Sequence, residues 1–481
     1  MNAFALSDPL LILLVGILIV VGGIIGLRLH PFLALLLGAF VVAFITPESA
    51  VEQYALNNGA SAEGARQLAE RDIGERIALQ FGSTAGKIGI LIAMASIIGK
   101  SMLESGAAER IVRSTLRLTG VNKAPMTFLG SSFFLGIPVF FDTVFYLMIP
   151  LAKAMAMRIG KNYLLLVLCI TAGAAMANSL VPPTPGPLFL VSEMNIPIGM
   201  MMIGGFLVGL VTIVVGYYYA LWANHKWPLP IRDSGDAPLD KIKDLGAQED
   251  RLLPPLWLSL LPILIPILFI SGKALVDITT TGSSVSTNFF YQGILFFGEK
   301  NLALVAGGFT ALAMLVKQNQ GDRKAMLSSV QGALMTAGVI ILITASGGAF
   351  GGMLQQTGIS MRIAALTENF QMALLPLAFF ITAVVRTAQG SATVAMITAS
   401  GILAGMANTS LLEFHPLYIG LAIACGSKLV PWMNDSGFWI VCKMSNLTEK
   451  EALKTFSPLL TVMGLSGLIV ILIAAKLFPL V

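Results

Sequence analysis

Four charged residues lie within stretches of the chain that are otherwise apolar. Asp142 and Arg386 occur in two such stretches, and Lys428 and Asp435 lie close together in a third. A charge at membrane depth costs about 2.5–3.5 kcal/mol on insertion scales, so all four must be paired or hydrated. A guanidinium offers a planar fork to a carboxylate, and a carboxyl group whose pKa is raised by partial burial can carry a proton. These residue types predict binding of an organic anion coupled to proton movement.

The four charges allow two interpretations. In the first, Arg386, together with Lys428, binds a carboxylate of the substrate, and Asp142 or Asp435 carries the proton. In the second, the charges form permanent structural pairs, Arg386 with Asp435 or Lys428 with Asp142. The two interpretations differ in whether the guanidinium is available to a ligand.

Polar and helix-breaking residues interrupt the apolar sequence at 136–143, 178–187, 386–393 and 427–437. Proline lacks the amide donor that a helix interior needs, and it clashes with the preceding turn. Unwound backbone inside a membrane is tolerated only where protein or a wet cavity satisfies its amides and carbonyls. We therefore expect the four segments to converge on one cavity. Besides the charges, the expected substrate contacts are Gly136, Thr143, Asn178, Thr184, Gln389, Gly390, Ser391, Thr393 and Asn434.

Some of these residues have a purely structural alternative. Ser391 and Thr393 could serve only as caps of the helix that follows them. The prolines within 182–187 could simply end a helix, although four prolines in six residues at membrane depth are hard to explain by packing. We expect the glycine pairs 347–348 and 351–352 to permit close helix packing rather than to bind a ligand.

Membrane helices must position these segments. Of the 481 residues, 56% are hydrophobic and 11% are charged, whereas soluble domains contain about 25% charged residues. A bilayer core of roughly 30 Å needs about 20 apolar residues per helical span. Two longer apolar stretches, 124–157 and 371–406, are interrupted midway and are predicted to be re-entrant hairpins. Ten spans are predicted, at 9–27, 31–45, 87–103, 163–180, 198–221, 253–271, 301–316, 331–350, 415–430 and 457–479.

The loops predict the orientation of the chain. With the N-terminus outside, twenty of the 30 Lys and Arg residues fall in inner segments and eight in outer segments. This asymmetry follows the positive-inside rule, so we expect a bacterial inner membrane protein with both termini in the periplasm. The outer loop 46–86 is predicted to contain a polar amphipathic helix at 59–76. The segment 222–252 is predicted to be a cytoplasmic linker.

Short motifs recur in the same order in both halves of the chain. A fixed order, with a hairpin at the same place in each half, indicates duplication. Because each half contains five spans, the second copy must be inverted, as in secondary transporters whose site lies at the midplane. The prediction is an all-α polytopic membrane protein with repeats at 1–221 and 253–481. The matching positions are Gly106 and Gly358 at an offset of 252, Thr143 and Thr393 at 250, and 180–182 and 429–431 at 249.

Cysteine and histidine give no indication of a disulfide or a metal site. Cys169, Cys425 and Cys442 are isolated within or beside apolar sequence, and the three histidines are far apart. We therefore predict no metal and no cofactor. The net charge of +5 bears on orientation in the membrane rather than on nucleic acid binding.

Two other classes of membrane protein share parts of this pattern. A cation/proton antiporter would need acidic residues without a basic partner for an anion, and Arg386 and Lys428 count against it. An intramembrane enzyme could use Ser391 as a nucleophile, but no intramembrane histidine is placed to act as its base. The residues favour anion symport, and we predict that the chain is not an enzyme.

The polar segments resemble those of the gluconate permease family, which comprises gluconate:proton symporters and relatives for D-serine, idonate and similar acids within the ion-transporter superfamily. The resemblance is carried by 390–398, 434–439, 182–187 and 140–142, and it extends in layout over nearly the whole chain. It implies uptake of a gluconate-type acid with H⁺ favoured over Na⁺. It also implies a homodimer in which a transport domain of hairpins and broken helices moves, in an elevator fashion, against a scaffold of the other spans.

The chain departs from the family pattern at positions expected to face the substrate. Asp142 stands where relatives typically carry glutamate, and Thr184 stands where they carry histidine. The segment 431–433 and Lys428 also differ from the usual residues. The resemblance thus implies that the substrate is a small hydroxy acid. The additional lysine would suit a substrate with more negative charge.

Overall fold

The structure is a computed structural model that describes residues 8–120, 123–232, 253–280, 289–320, 322–359, 362, 371–407, 412–433 and 435–480. These residues form α-helices joined by short connections, with no strand among them. Of the predicted features, Asn434, the side chain of Gln389 and the linker residues 233–252 lie outside what is described.

Each half of the chain contains a helix–turn–helix pair followed by a helix that is broken and then resumes. In the first half the helices are α1 (Pro9–Ile25), α2 (Pro31–Ile45), α3 (Glu48–Asn57), α4 (Ala62–Glu70), α5 (Ile73–Glu104), α6 (Ala107–Thr119), α7 (Ala124–Leu135), α8 (Phe141–Ile159), α9 (Tyr163–Leu180), α10 (Pro185–Glu193) and α11 (Ile198–Lys226). In the second half they are α12 (Leu256–Thr280), α13 (Phe289–Phe297), α14 (Lys300–Gln318), α15 (Arg323–Gln355), α16 (Leu374–Gln389), α17 (Ala392–Ala407), α18 (Leu417–Gly426), α19 (Ser436–Ser445) and α20 (Glu449–Leu477).

Several of these helices are long and apolar enough to cross a membrane. Within the described residues seven qualify, and an eighth is counted if α2 and α3, which are bent by 99°, form one span. The chain is therefore a multi-pass membrane protein. Every one of the ten predicted spans overlaps a helix, although fewer of these helices are long enough to cross a membrane. The span predicted at 415–430 was too long, because α18 ends at Gly426 where the backbone unwinds.

The prediction of a loop over 46–86 was wrong in part. α3 and α4 occupy its first half, and α5 begins at Ile73 rather than at 87. Hydropathy did not predict the start of α5, because these residues are polar. A helix can nevertheless be polar where another part of the protein covers it. Arg76 illustrates this cover, because it is buried and its guanidinium donates to Gln356 Oε1 at 2.9 Å. The helix predicted at 59–76 corresponds only to α4.

The centre of the protein is an antiparallel pair of long helices, α5 and α15. Glycines of α15 allow the two backbones to approach closely. A Cβ at Gly348 would lie 2.0 Å from Thr84 Oγ1, and one at Gly352 would lie 2.7 Å from Gln80 Cγ. Because the later residue of α15 meets the earlier residue of α5, the two helices run in opposite directions.

A second face of α15 packs against α17 in the same way. A Cβ at Gly347 would lie 1.9 Å from Ile397 Cγ2, and one at Gly351 would lie 2.7 Å from the Cα of Gly401. These contacts confirm that the glycine pairs of α15 serve close helix packing.

Helices at similar positions along the two halves make similar contacts. α7 packs on α9, and α16 packs on α18 in the same manner. α10 packs on α17 of the other half, and α19 packs on α8. α5 contacts α14, whereas α15 contacts α2. These exchanges bring the hairpin turn of each half next to the broken helix of the other.

Candidate functional site

A cavity of about 300 Å³ lies where both hairpin turns meet the second broken helix, with α15 as a further wall. Three of the four predicted breaks line it through several residues each, and the break at 178–187 contributes Asn178. Three of the four polar breaks therefore meet at one cavity as expected, and the fourth reaches it through a single residue. The polar residues of the lining are Asp142, Asn178, Thr336, Arg386, Ser391, Thr393, Lys428, Asp435 and Ser436.

Arg386, near the end of α16, is bound by groups of the protein. Its Nε donates to the carbonyl of Ser427 at 2.9 Å, and its guanidinium also donates to the carbonyl of Gly390. It forms an ion pair with Asp435, and the two side chains are only 4% and 9% exposed. Of the two interpretations left open above, the structural pair between Arg386 and Asp435 is present. Arg386 thereby fastens the second hairpin turn to the second broken helix.

Asp435 uses its other carboxylate oxygen as a helix cap. Oδ1 accepts the backbone N–H of Gly437 at 2.7 Å, so Asp435 is the N-cap of α19. A residue at this position satisfies an amide that the first helical turn leaves without a partner. Both oxygens of Asp435 are therefore occupied by groups of the protein.

Lys428 differs from its neighbour Arg386. Its side chain is buried, with 5% exposed, and it lines the cavity. Within the described part of the chain it makes no ion pair and no side-chain hydrogen bond, so the structural pair with Asp142 is not formed. Asp142 is exposed, and its Oδ1 accepts the N–H of Thr143 at 2.9 Å. A buried ammonium that forms no ion pair with the described residues can serve as the counter-charge of an anion.

Three helices begin at the cavity. Residues of the first turn of α8, α17 and α19 line its wall, among them Asp142, Thr393 and Ser436. The unpaired amides of a helix N-terminus carry about half an elementary positive charge, which favours an anion. Ser391 caps α17, because its Oγ accepts the N–H of Val394 at 3.3 Å, and it lines the cavity as well.

Four predicted contacts among the described residues lie outside the lining. The buried hydroxyl of Thr184 is 2.7 Å from the carbonyl of Asn178, so it holds the unwound turn between α9 and α10. Gly136 gives room for α9, since a Cβ there would lie 3.0 Å from the carbonyl of Ala174. Thr143 and Gly390 contribute backbone groups, an N–H to Asp142 and a carbonyl to Arg386.

The sequence matches the description "GntP family permease" over residues 8–477. The chain belongs to the GntP permease family. A protein named as a permease from Haemophilus influenzae is 30% identical over 98% of this chain and 93% of its own length. A gluconate permease from Pseudomonas aeruginosa is 27% identical over 98% of both chains. These names are those of transporters and not of enzymes, in agreement with the sequence prediction.

The fold of this GntP permease is similar to that of the YdaH transporter of Alcanivorax borkumensis. The two structures match with a TM-score of 0.65 over 94% of this chain and 100% of the other, at 14% sequence identity. The likeness concerns the fold. It supports the assignment of an all-helical fold.

Sequence reasoning missed the contribution of α15 to the cavity of the permease. Thr336 and Ile340 line it from the middle of a continuous helix, where no break marks them. One signal was available, because Thr336 follows Thr84 by 252 residues, the offset that relates Gly106 to Gly358. Asn178 was predicted, and its Oδ1 is buried without a hydrogen-bond partner among the described residues.

Proposed function

We propose that this permease is a secondary active transporter that carries gluconate, or a related small hydroxy acid, into the cell together with H⁺. The observation that carries the proposal is the buried Lys428, which has no ion-pair partner among the described residues and faces a cavity where three helices begin. A cavity of about 300 Å³ is of the size that small-molecule sites have. The relative in Pseudomonas aeruginosa is named a gluconate permease.

The substrate is proposed to bind with its carboxylate at Lys428 and at the first amides of α17 and α19. Its hydroxyl groups then face the polar side chains of Asn178, Ser391 and Thr393, which line the same cavity. Asn178 Oδ1 has no hydrogen-bond partner among the described residues and can accept a hydrogen bond from a substrate hydroxyl group. By their positions in the chain, Gln389 and Asn434 complete the proposed set of contacts.

Asp142 is the stronger of the two candidates for the proton-carrying group. It is exposed at the cavity and makes no ion pair among the described residues, so a proton can reach it. Asp435 is held by Arg386 and by the amide of Gly437, so both of its oxygens already have protein partners. We therefore assign coupling to Asp142 and a structural role to Asp435.

The proposed architecture consists of two inverted repeats, 1–221 and 253–481, with re-entrant hairpins formed by α7–α8 and α16–α17. The antiparallel direction of α5 and α15, and the reciprocal contacts of α10 with α17 and of α19 with α8, support an inverted duplication. The elevator movement and the homodimer belong to the proposal through the family resemblance. The Lys and Arg asymmetry supports an inner membrane orientation with both termini outside.

A cation/proton antiporter is the alternative function. It would need a cavity in which negative charge dominates. Here Asp435 is paired with Arg386, and among the described lining residues Asp142 is the other carboxylate, beside Lys428 and three helix N-termini. This balance favours an anion over a metal cation.

The function is tested by uptake into proteoliposomes that contain the purified protein. Gluconate, idonate and D-serine are offered with an inward pH gradient, an inward sodium gradient or neither. We expect accumulation of gluconate driven by the pH gradient. Accumulation driven by sodium alone would contradict the proposed coupling ion, and no uptake of any of the three acids would contradict the proposed substrate class.

The Asp142→Asn variant is expected to lose proton-driven accumulation and to retain exchange of labelled for unlabelled gluconate. An amide cannot take up the proton, but it leaves the anion site and the start of α8 in place. The measurement is a comparison of pH-driven uptake with counterflow in the same proteoliposomes. Glu70→Gln, at an exposed carboxylate that ends α4, is the matched control and is expected to behave as the wild type. Full accumulation in Asp142→Asn would exclude Asp142 as the proton carrier.

A further inference from the structure

The two ends of the central helix pair α5–α15 are packed differently. At one end, α10 packs against α5, and α17 packs against α15. Thr84 on α5 marks this contact, since it is buried and its hydroxyl donates to Glu193 Oε1, at the end of α10, at 3.4 Å. This end of the pair is closed by helices of both halves.

The corresponding contacts at the other end are open. Under the correspondence between the halves, α19 takes the place of α10, and α8 takes the place of α17. α8 makes only a small contact with α5, and α19 makes no extensive contact with α15 within their described residues. The cavity separates them, with Thr336 and Ile340 of α15 on one wall and Ser436 and Ile440 of α19 on another.

Thr336 is the counterpart of Thr84 at this open end. The two threonines are 252 residues apart, the offset that also relates Gly106 to Gly358. Thr84 lies level with Gly348, as their close contact requires. Thr336 precedes Gly348 by twelve residues, which corresponds to about 18 Å along the helix axis. The two threonines therefore lie at different levels of one helix pair, on either side of its middle.

We propose that the face of α15 that carries Thr336 and Ile340 is a docking surface for α19, and that α19 packs on it when the cavity closes. The inference rests on the proposed transport function and adds the closed contact to it. The contact of α10 at Thr84 opens as the contact of α19 at Thr336 forms, so the cavity is accessible from one end at a time.

The chemistry of the two faces fits this assignment. Ile340 and Ile440 face the cavity from its two walls, and their contact on closing would remove apolar surface from water. Lys443, exposed one turn beyond Ile440 on α19, follows Glu193 by 250 residues. In the proposed closed contact, Lys443 would lie next to Thr336 as Glu193 lies next to Thr84. Closing also brings α19 over the cavity and its bound anion.

The proposal is tested by cysteine cross-linking in membrane vesicles. Cys169, Cys425 and Cys442 are first replaced by alanine, and the pairs Thr84→Cys/Glu193→Cys and Thr336→Cys/Lys443→Cys are introduced separately and together. Met335→Cys/Lys443→Cys is the matched control, because Met335 precedes Thr336 on α15 and is 69% exposed. After oxidation, linked peptides are quantified by mass spectrometry.

We expect the pair at Thr336 to link about tenfold more than the control pair, since a disulfide requires Cα atoms within about 4.4–6.8 Å. In the variant with four cysteines, each molecule is expected to carry either the link between positions 84 and 193 or the link between positions 336 and 443, but not both. Linkage at Thr336 no greater than in the control, or molecules that carry both links, would overturn the proposal. Linkage at Thr84 and Glu193 verifies that the variant is folded. Because cross-linking needs no substrate, a wrong substrate would leave this result unaffected.

Discussion

Uptake of gluconate by Lys428→Gln is expected to fall about 100-fold at low substrate concentration, because loss of one partner from a buried charge pair costs about 2–5 kcal/mol. The side chain is buried at the cavity and makes no ion pair within the described residues. Its removal therefore leaves no protein carboxylate without a partner, and the loss of free energy falls on the bound anion. The measurement is the initial rate of labelled gluconate uptake in proteoliposomes as a function of concentration, and the expected change is a raised KM.

Two variants serve as controls for Lys428→Gln. Lys454→Gln removes an exposed lysine from the start of α20 and is expected to leave KM unchanged. Lys428→Arg keeps the charge with a bulkier head group and is expected to fall between the wild type and Lys428→Gln. An unchanged KM in Lys428→Gln would show that the anion has another counter-charge.

The places where the chain breaks were predictable from local chemistry. α9 ends at Leu180 and α10 begins at Pro185, as the run of prolines requires. The second hairpin turns at Gly390, which has a φ of 89° that side chains with a Cβ rarely adopt. Such features depend on a few adjacent residues, so the sequence alone contains the information.

The partners across the cavity were not predictable in the same way. The sequence allowed Arg386 to pair with Asp435 or to bind a ligand, and the choice depends on how the hairpin turn meets the broken helix. Thr336 carries no local mark, because it lies inside a regular helix and reaches the cavity only through the packing of α15. The hydroxyl of Thr184 was expected to contact the substrate, but it donates to the nearest carbonyl groups of its own turn.

Neighbouring cations at the site thus have different tasks. Arg386 is bonded to two carbonyl groups and one carboxylate, so it defines the position of the hairpin turn relative to α19. In the proposed mechanism, Lys428 binds the anion. The planar guanidinium suits the first task because it has five donors in a fixed geometry, and the compact ammonium suits the second.

Arg386→Gln is expected to abolish uptake and to lower the stability of the protein, whereas Arg386→Gln/Asp435→Asn is expected to recover stability without uptake. The single variant leaves Asp435 as a buried charge without its ion-pair partner, which costs about 3–5 kcal/mol. The double variant removes both charges, but it cannot hold the carbonyl groups of Gly390 and Ser427 as the guanidinium does. Thermal unfolding in detergent measures stability, and proteoliposome uptake measures function.

Arg386→Lys and Asp435→Asn separate charge from geometry at the same pair. Arg386→Lys keeps the positive charge beside Asp435 and is expected to fold, but one ammonium cannot reproduce the fork that reaches Ser427, Gly390 and Asp435 together. Asp435→Asn keeps an oxygen to cap α19 and is also expected to fold, with lower stability because Arg386 loses its ion-pair partner. Both variants are expected to lose uptake, because the site needs the hairpin turn and the start of α19 in one fixed arrangement. Wild-type uptake in Arg386→Lys would mean that the charge alone suffices, and that the hydrogen bonds to the two carbonyl groups do not set the geometry of the site.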